Sequence, residues 1–446
     1  MITCEKNNPL PIKNIFVFVF VFVFAFFKTS PCVADNGEQV SITKLTQLAE
    51  QGSPHAQFML SQRYSHGDGV PKDDNVAAMW LIKAAHQGYA LAQNNLGLKY
   101  DRGNGVKQNF NQAVYWYKKA AEQGDAMAQS NLAIMYENGL GTSKNAAIAF
   151  QWYQKAAEQG DALAQTNLGI FYDKGISVPQ DSQQAENWYR KAAEQGNPIA
   201  QLNLGIMYEK GTVQPQNQKL AFYWYKKSAE QGEPTAQLFL GSCFEHGKGT
   251  IKDHDRAALW YRKSAEQGEK VAQSKIGLIY EVGDGLPQDY EAAVYWYQLA
   301  AEQNYAIAQA DLGFMYHRGL GTKKDLNKAV HWYSKAAEQG VLTAQLRLGN
   351  LYKDGDEVSQ DHEKAIYWFY KASEQGDGTA KFNLGLIYEI QKAYKNAYFW
   401  FTAAEKNGFS EASSHRKKVA YKLSLNYIEQ AHDNSLHEKN SLPMHH

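Results

Sequence analysis

Apolar residues recur along this chain at two nested spacings. Between Asp161 and Gly196, DALAQTNLGIFYDKGISVPQDSQQAENWYRKAAEQG, the residues Ala164, Leu168 and Tyr172 stand one helical turn apart. Further on, Ala185, Trp188, Tyr189, Ala192 and Ala193 fall at i, i+3, i+4, i+7 and i+8, a face wide enough to need burial on two sides. The pattern predicts two helices, A and B. The longer spacing is the recurrence of the whole stretch. Gln57, Gln93, Gln129, Gln165, Gln201, Gln237, Gln273, Gln309 and Gln345 are each 36 residues apart, and Lys381 holds the tenth place. A fixed period of this size marks a solenoid, in which each unit is buried by its neighbours. About ten two-helix units over 53–408, forming one elongated all-α domain, are expected.

Glycine and proline punctuate the units. Gly196 ends helix B as a C-cap, and Pro198 and Pro234 stand just past such glycines, where the first turn of the next helix A tolerates proline. Most units carry a glycine pair between the helices, such as Gly103 and Gly105 or Gly319 and Gly321, which suits a tight turn. The fourth unit (Gly175-Ile176-Ser177), the fifth (Gly211-Thr212-Val213) and the ninth (Gly355-Asp356-Glu357) break the pair. Their loops are expected to differ in shape and are candidate recognition edges. Helix A also has an interior glycine after its leucine, as at Gly97, Gly169, Gly205 and Gly241, replaced by Ser61 in the first unit and Ala133 in the third. Such a glycine costs roughly 0.5–1 kcal/mol against alanine, so its recurrence implies a close helix contact. The tenth unit is four residues short and lacks the glycine loop. A capping helix is expected at each end, over 35–52 and 409–432, followed by a polar, disordered tail over 433–446.

Composition and charge narrow the picture. Lys plus Arg (46) equals Asp plus Glu (46), so no whole-chain field favours nucleic acid or an anionic membrane. Ile15 to Phe27, IFVFVFVFVFAFF, is wholly apolar, follows Lys6 and Lys13, and is shorter than the roughly 20 residues a membrane span needs. With Cys32-Val33-Ala34 it reads as a signal peptide over 1–34, cut after Ala34. In a bacterial cell this implies a periplasmic or secreted protein with no stable membrane span after cleavage. An uncleaved anchor is the alternative. Of the three cysteines, Cys4 and Cys32 leave with the leader, and Cys243 is expected to be a packing residue.

The run AAEQGDALAQTNLGIFYDKG followed by QAENWYRKAAEQG resembles the Sel1-like repeat, a relative of the tetratricopeptide repeat, and the resemblance extends from about 40 to 430. It implies antiparallel helix pairs stacked into a right-handed superhelix whose inner surface is lined mainly by helix A. It also implies a scaffold or adaptor that binds a protein or peptide partner, in exported and envelope proteins that include host-interaction factors. Two other readings come with it. One branch of the family, reported to bind or hydrolyse β-lactams, carries a cysteine pair in each repeat, and this chain lacks those pairs. The other is an envelope component that positions cell-wall enzymes.

Candidate partner-binding residues stand just before the leucine-glycine pair of helix A: Asn95, Asn131, Asn167, Asn203, then Phe239, Lys275, Asp311, Arg347 and Asn383. Amides here suit the backbone of an extended peptide, since each offers donors and an acceptor. An inter-repeat hydrogen bond explains them equally well. One turn further on, Lys99, Met135, Phe171, Met207, Cys243, Ile279, Met315, Leu351 and Ile387 form a strip that is either core or groove. Clusters such as Tyr115-Trp116-Tyr117, Tyr223-Trp224-Tyr225 and Tyr295-Trp296-Tyr297 read as core. No histidine pair has HExxH spacing, and the loops from His66 and Gly283 lack the alternating acids of a calcium loop. Carboxylates such as Glu122, Glu158 and Glu194 fall at solvent-facing positions, and no buried acid of the kind general acid/base chemistry needs is indicated. No enzyme activity and no metal or other cofactor is expected.

Overall fold

A computed structural model describes residues 41–423. The expected signal peptide, residues 35–40, residues 424–432 of the expected C-terminal helix, and the tail lie outside the described residues. Those described form helices and no strand. The chain divides into two compact units, one ending at Asp125 and the other beginning at Ala126. The first holds the helix Ile42–Glu50, repeat 1 (Pro54–His66 and Asp74–His86) and repeat 2 (Ala90–Arg102 and Phe110–Glu122). The second holds repeats 3 to 10, from Ala126–Asn138 to Tyr394–Lys406, and a last helix, Ala412–Ala420.

Each helix of a repeat is thirteen residues long because its ends are chemically marked. In repeat 4, helix A (Ala162–Lys174) starts where the Asp161 carboxylate accepts from the Ala164 N–H at 2.7 Å, and stops at Gly175, whose φ of 68° ends the helix in the left-handed region. Helix B (Ser182–Glu194) starts where Asp181 accepts from the Gln184 N–H at 3.0 Å. Pro198 and Pro234 occupy first-turn positions of their helices.

The periodic glutamine holds the helices in register. Gln165 is 4 % exposed. Its Nε2 donates to the Ala157 carbonyl, in the preceding helix B, at 3.1 Å, and its Oε1 accepts from Gln195 Nε2 of the following helix B at 2.8 Å. One buried side chain thus ties three successive helices and adds a side-chain donor to the Ala157 carbonyl in the last turn of a helix, which also accepts from the Gly160 N–H at 3.1 Å. The same pair of bonds recurs at Gln201, Gln237, Gln273 and Gln345. In repeat 10 Lys381 takes the place and donates to Asn407 Oδ1 at 3.0 Å.

The interior glycine is the socket for the helix B ring. A Cβ built on Gly169 would stand 2.6 Å from two ring carbons of Tyr189, and one on Gly205 2.5 Å from Tyr225. Tyr189 and Tyr225 are accordingly buried. Complete burial of a large side chain contributes roughly 1.5–3 kcal/mol, which outweighs the helical cost of glycine. In repeat 1, where the helix A position is Ser61, the ring position is Leu81.

Two expectations are corrected here, and one open alternative is decided. The loop of repeat 4 keeps the glycine-type backbone, since Ser177 has a φ of 60°, whereas Val213 and Glu357 at the same position of repeats 5 and 9 lie outside the left-handed region. A small polar residue tolerates that conformation, and a β-branched or long one does not. In the aromatic clusters Tyr117, Tyr225 and Tyr297 are core, but Tyr115, Tyr223 and Tyr295 are exposed. Their position points one hundred degrees or so away from the buried face. The helix A strip is core: Met135, Phe171, Met207, Cys243, Met315, Leu351 and Ile387 are buried. It therefore offers no groove.

The second unit ends in a polar lid. Ala412 and Val419 of the last helix pack with Phe401 and Ala404, while His415 and Lys418 reach Glu389 at 3.1 and 3.0 Å and Arg416 reaches Glu405 at 2.7 Å.

Candidate functional site

The row of candidate residues lies two positions after the buried glutamine, on the edge of the helix A face that the stack covers. Asn95, Asn131, Asn167, Asn203, Phe239, Lys275 and Asp311 are half-buried, Arg347 is exposed, and Asn383 is buried. The amides of Asn167 and Asn203 make no hydrogen bond to the other described residues, and neither does that of Asn95 in the first unit. Asn383 differs. It accepts from Lys353 Nζ, one repeat back, at 2.8 Å and donates to the Thr379 carbonyl at 3.0 Å.

In the second unit this row is bordered by two others, the second of which the sequence reading missed. One is the buried helix B tyrosine. The second is a polar residue in the last turn of helix A: Glu137, Asp173, Glu209, Glu245, Glu281, then His317 and Lys353. The tyrosine hydroxyl donates to that carboxylate at 2.7 Å for Tyr153 and Glu137, 2.7 Å for Tyr225 and Glu209, and 2.6 Å for Tyr297 and Glu281. In two repeats the candidate residue of the next repeat joins the group. Phe239 stacks on Tyr225 with centroids 5.1 Å apart, and Lys275 Nζ lies 3.2 Å from Glu245. Burial pushes the Glu245 carboxyl up, but Lys275 and the Tyr261 hydroxyl together hold it below the ordinary value. The signal was available as a polar column at a fixed offset of six residues from the asparagine row.

Asp311 stands out. Burial and the Glu281 carboxylate push its carboxyl up to about 7, against the opposing pull of Arg347. This group exchanges a proton near neutral pH. The exposed Arg347 stacks over Phe314 at 4.6 Å and lies 5.9 Å from the Tyr333 ring.

Buried acids therefore do occur, contrary to expectation. Glu186, 3 % exposed, sits on helix B where the other repeats place Val114, Phe150, Phe222 or Ile366. It survives burial because Arg190 pairs with it and Tyr208 Oη and Gln214 Nε2 approach at 3.3 Å. Gln214 belongs to the altered loop of repeat 5, which this carboxylate anchors. Cys243 is buried, and burial first, then Glu209, pushes its thiol up to about 12, so it offers no thiolate. Among the described residues no group of three or more His, Cys, Asp or Glu side chains could hold a metal ion, and no helix is long and apolar enough to cross a membrane.

Comparison with known families matches the Sel1 repeat model nine times in succession, over 54–89, 90–125, 126–161, 162–197, 198–233, 234–269, 270–305, 306–341 and 342–377. The chain belongs to the Sel1 repeat family. Each matched Sel1 segment spans one helix A and one helix B, and the shortened tenth pair lies beyond the last match. Among solved structures, a protective antigen present in uropathogenic Escherichia coli strains, displaying an SLR fold, is 35% identical, with 89% of this chain and 94% of that chain covered and a TM-score of 0.62. A Sel1 repeat protein from Oxalobacter formigenes is 33% identical over 70% of this chain and 91% of its own, with a TM-score of 0.51. No curated protein matches. Sel1 repeats, like tetratricopeptide repeats, generally act as scaffolds for protein–protein interaction and are typically non-catalytic.

Proposed function

We propose that this chain is an exported, non-enzymatic scaffold that holds an extended segment of a partner protein along the helix A row of its second unit. One observation carries the reading. The framework positions on either side of the row, Gln165, Leu168 and Gly169 and their counterparts, repeat almost unchanged and are buried. The row between them runs Asn167, Asn203, Phe239, Lys275, Asp311, Arg347 and remains at least partly open from Asn167 to Arg347. Constant residues build the stack, and variable ones at its surface suit recognition. The free amides of Asn167 and Asn203 favour peptide contact over inter-repeat bonding at those two places.

Export rests on the apolar segment Ile15 to Phe27 and the Cys32-Val33-Ala34 site. The related uropathogenic E. coli protein is a protective antigen, which agrees with an exposed protein of this kind. A β-lactam-directed enzyme would need a nucleophile, and Cys243 is unsuited to that role.

The test is a photo-reactive residue placed at Asn167 or Asn203 in the producing cell, with Glu194 on the exposed face of helix B as control. A discrete adduct from the two row positions and none from Glu194 is expected. Equal labelling from all three positions would overturn the row as the binding surface. Amino-terminal sequencing of the released chain checks export, with Asp35 as the expected first residue.

A further inference from the structure

The polar column beside the row is acidic at Asp173, Glu209, Glu245 and Glu281, and then loses its carboxylates at His317 and Lys353. The row itself becomes Arg347 at the same place. Between repeats 8 and 9, His317 of this column and Arg347 of the row line a shallow cleft of about 240 Å3, with Asn350 and Leu351 and with the carboxylates of Asp354 and Asp356 at its margin. A carboxylate already sits there. Glu357 in the altered loop of repeat 9 lays one oxygen against His317 Nε2, while the other accepts from Lys324 Nζ at 2.7 Å. Tyr333 Oη is 3.4 Å from His317 Nδ1 and steadies the ring. The Lys324 hydrogen bond, helped by His317, holds the Glu357 carboxyl below the usual range.

Two features distinguish this cradle from an ordinary surface ion pair. Glu357 replaces the glycine that, in repeat 8, lets the loop press against the preceding helix B, where a Cβ on Gly321 would meet the Tyr290 carbonyl at 2.1 Å. The loop of repeat 9 is therefore free of that constraint. Arg347 is the second feature. It has no ion pair within 4.0 Å among the described residues, is exposed, and lies 4.6 Å from the Phe314 ring centroid on the wall of the same cleft. A planar, fixed guanidinium with open donors is suited to a carboxylate.

We propose that this cleft receives an acidic side chain of the partner segment, and that Glu357 is a tethered occupant which the partner displaces. The inference rests on the scaffold reading and adds the partner's chemistry. An aspartate or glutamate of an extended segment meets Arg347 first, then takes the Lys324 and His317 donors as Glu357 swings outward with its loop.

The experiment uses the full chain and a fluorescent peptide of two glutamates in a glycine-serine frame, acetylated and amidated so that its only charges are side-chain carboxylates. Anisotropy is the readout. Glu357→Gln is expected to tighten binding about threefold and Arg347→Ala to weaken it about fivefold, the range open to a solvent-accessible ion pair. The glutamine version of the peptide is expected not to bind. Equal binding of the two peptides, or no change with either variant, overturns the proposal. Binding confined to a peptide with a free C-terminal carboxylate also overturns it, in favour of a chain-end site. Unchanged melting temperatures of both variants exclude a folding artefact. The adducts from Asn167 and Asn203 report separately on the scaffold reading, so their persistence alongside a negative peptide result removes the cleft alone.

Discussion

Tyr189 fills the space that a side chain on Gly169 would need: two carbons of its ring lie 2.6 Å from the site of the missing Cβ. Gly169→Val is therefore expected to destabilise the second unit by about 1–3 kcal/mol through overpacking. Gly169→Ala should cost less, since repeat 3 already carries Ala133 against the same helix B position, with Tyr153 still fully buried. Thermal melts followed by far-ultraviolet dichroism check the order. A valine variant as stable as wild type would remove the socket account.

Gln165→Leu removes two hydrogen bonds, one to the Ala157 carbonyl and one from Gln195, although each partner keeps another: the carbonyl accepts from the Gly160 N–H and Gln195 Nε2 donates to the Gly160 carbonyl. A loss of about 1–2 kcal/mol is expected, the net worth of the two hydrogen bonds removed. Urea unfolding at neutral pH measures it. No shift in midpoint would mean that water replaces both bonds.

Asp311 gives a pH dependence with a definite sign. Its carboxyl is raised to about 7 in the folded chain and titrates near the ordinary 3.8 when unfolded. Between those values the folded chain keeps a proton that the unfolded chain has lost, so stability falls as pH rises through this window. Asp311→Asn, which cannot ionise, is expected to match wild type at pH 4 and to melt at a higher temperature at pH 8. Equal melting temperatures at both pH values would show that the carboxylate is solvated.

Asn203→Ala and Asn383→Ala separate the two roles of the same sequence position. Asn203 contacts no polar group of the described chain, whereas Asn383 is buried and bonded by Lys353 and to Thr379. The first substitution should leave the melting temperature in place and the second should lower stability by about 1 kcal/mol. The reverse order would make the row structural at Asn203 and dispensable at Asn383.

Most of the stack was legible because its rules are local. Helix periodicity, the glycine C-caps and first-turn prolines, and the glycine that marks a close helix contact can all be read from single repeats. The function of the periodic glutamine was not, since it joins Gln165 to Gln195 and Ala157, residues far apart in sequence and adjacent only once three helices are stacked. Glu186 escaped for a different reason. Helical spacing places it on a buried face, and only its alignment with Phe150 and Phe222 shows that a charge has entered an apolar column. Charge also hid the most suggestive region. Balanced totals of 46 and 46 conceal an acidic column that ends at Glu281 and gives way to His317 and Lys353.

A stack of equal units has no internal reason to stop, because the last one exposes the surface that its predecessor buried. Repeat 10 replaces the glutamine by Lys381 and closes on a helix that turns His415, Arg416 and Lys418 toward the carboxylates of its own last hairpin. The terminal face of the second unit is thereby consumed within one molecule. Among the described residues, the face that a further repeat would pack against is covered by this chain's own helix.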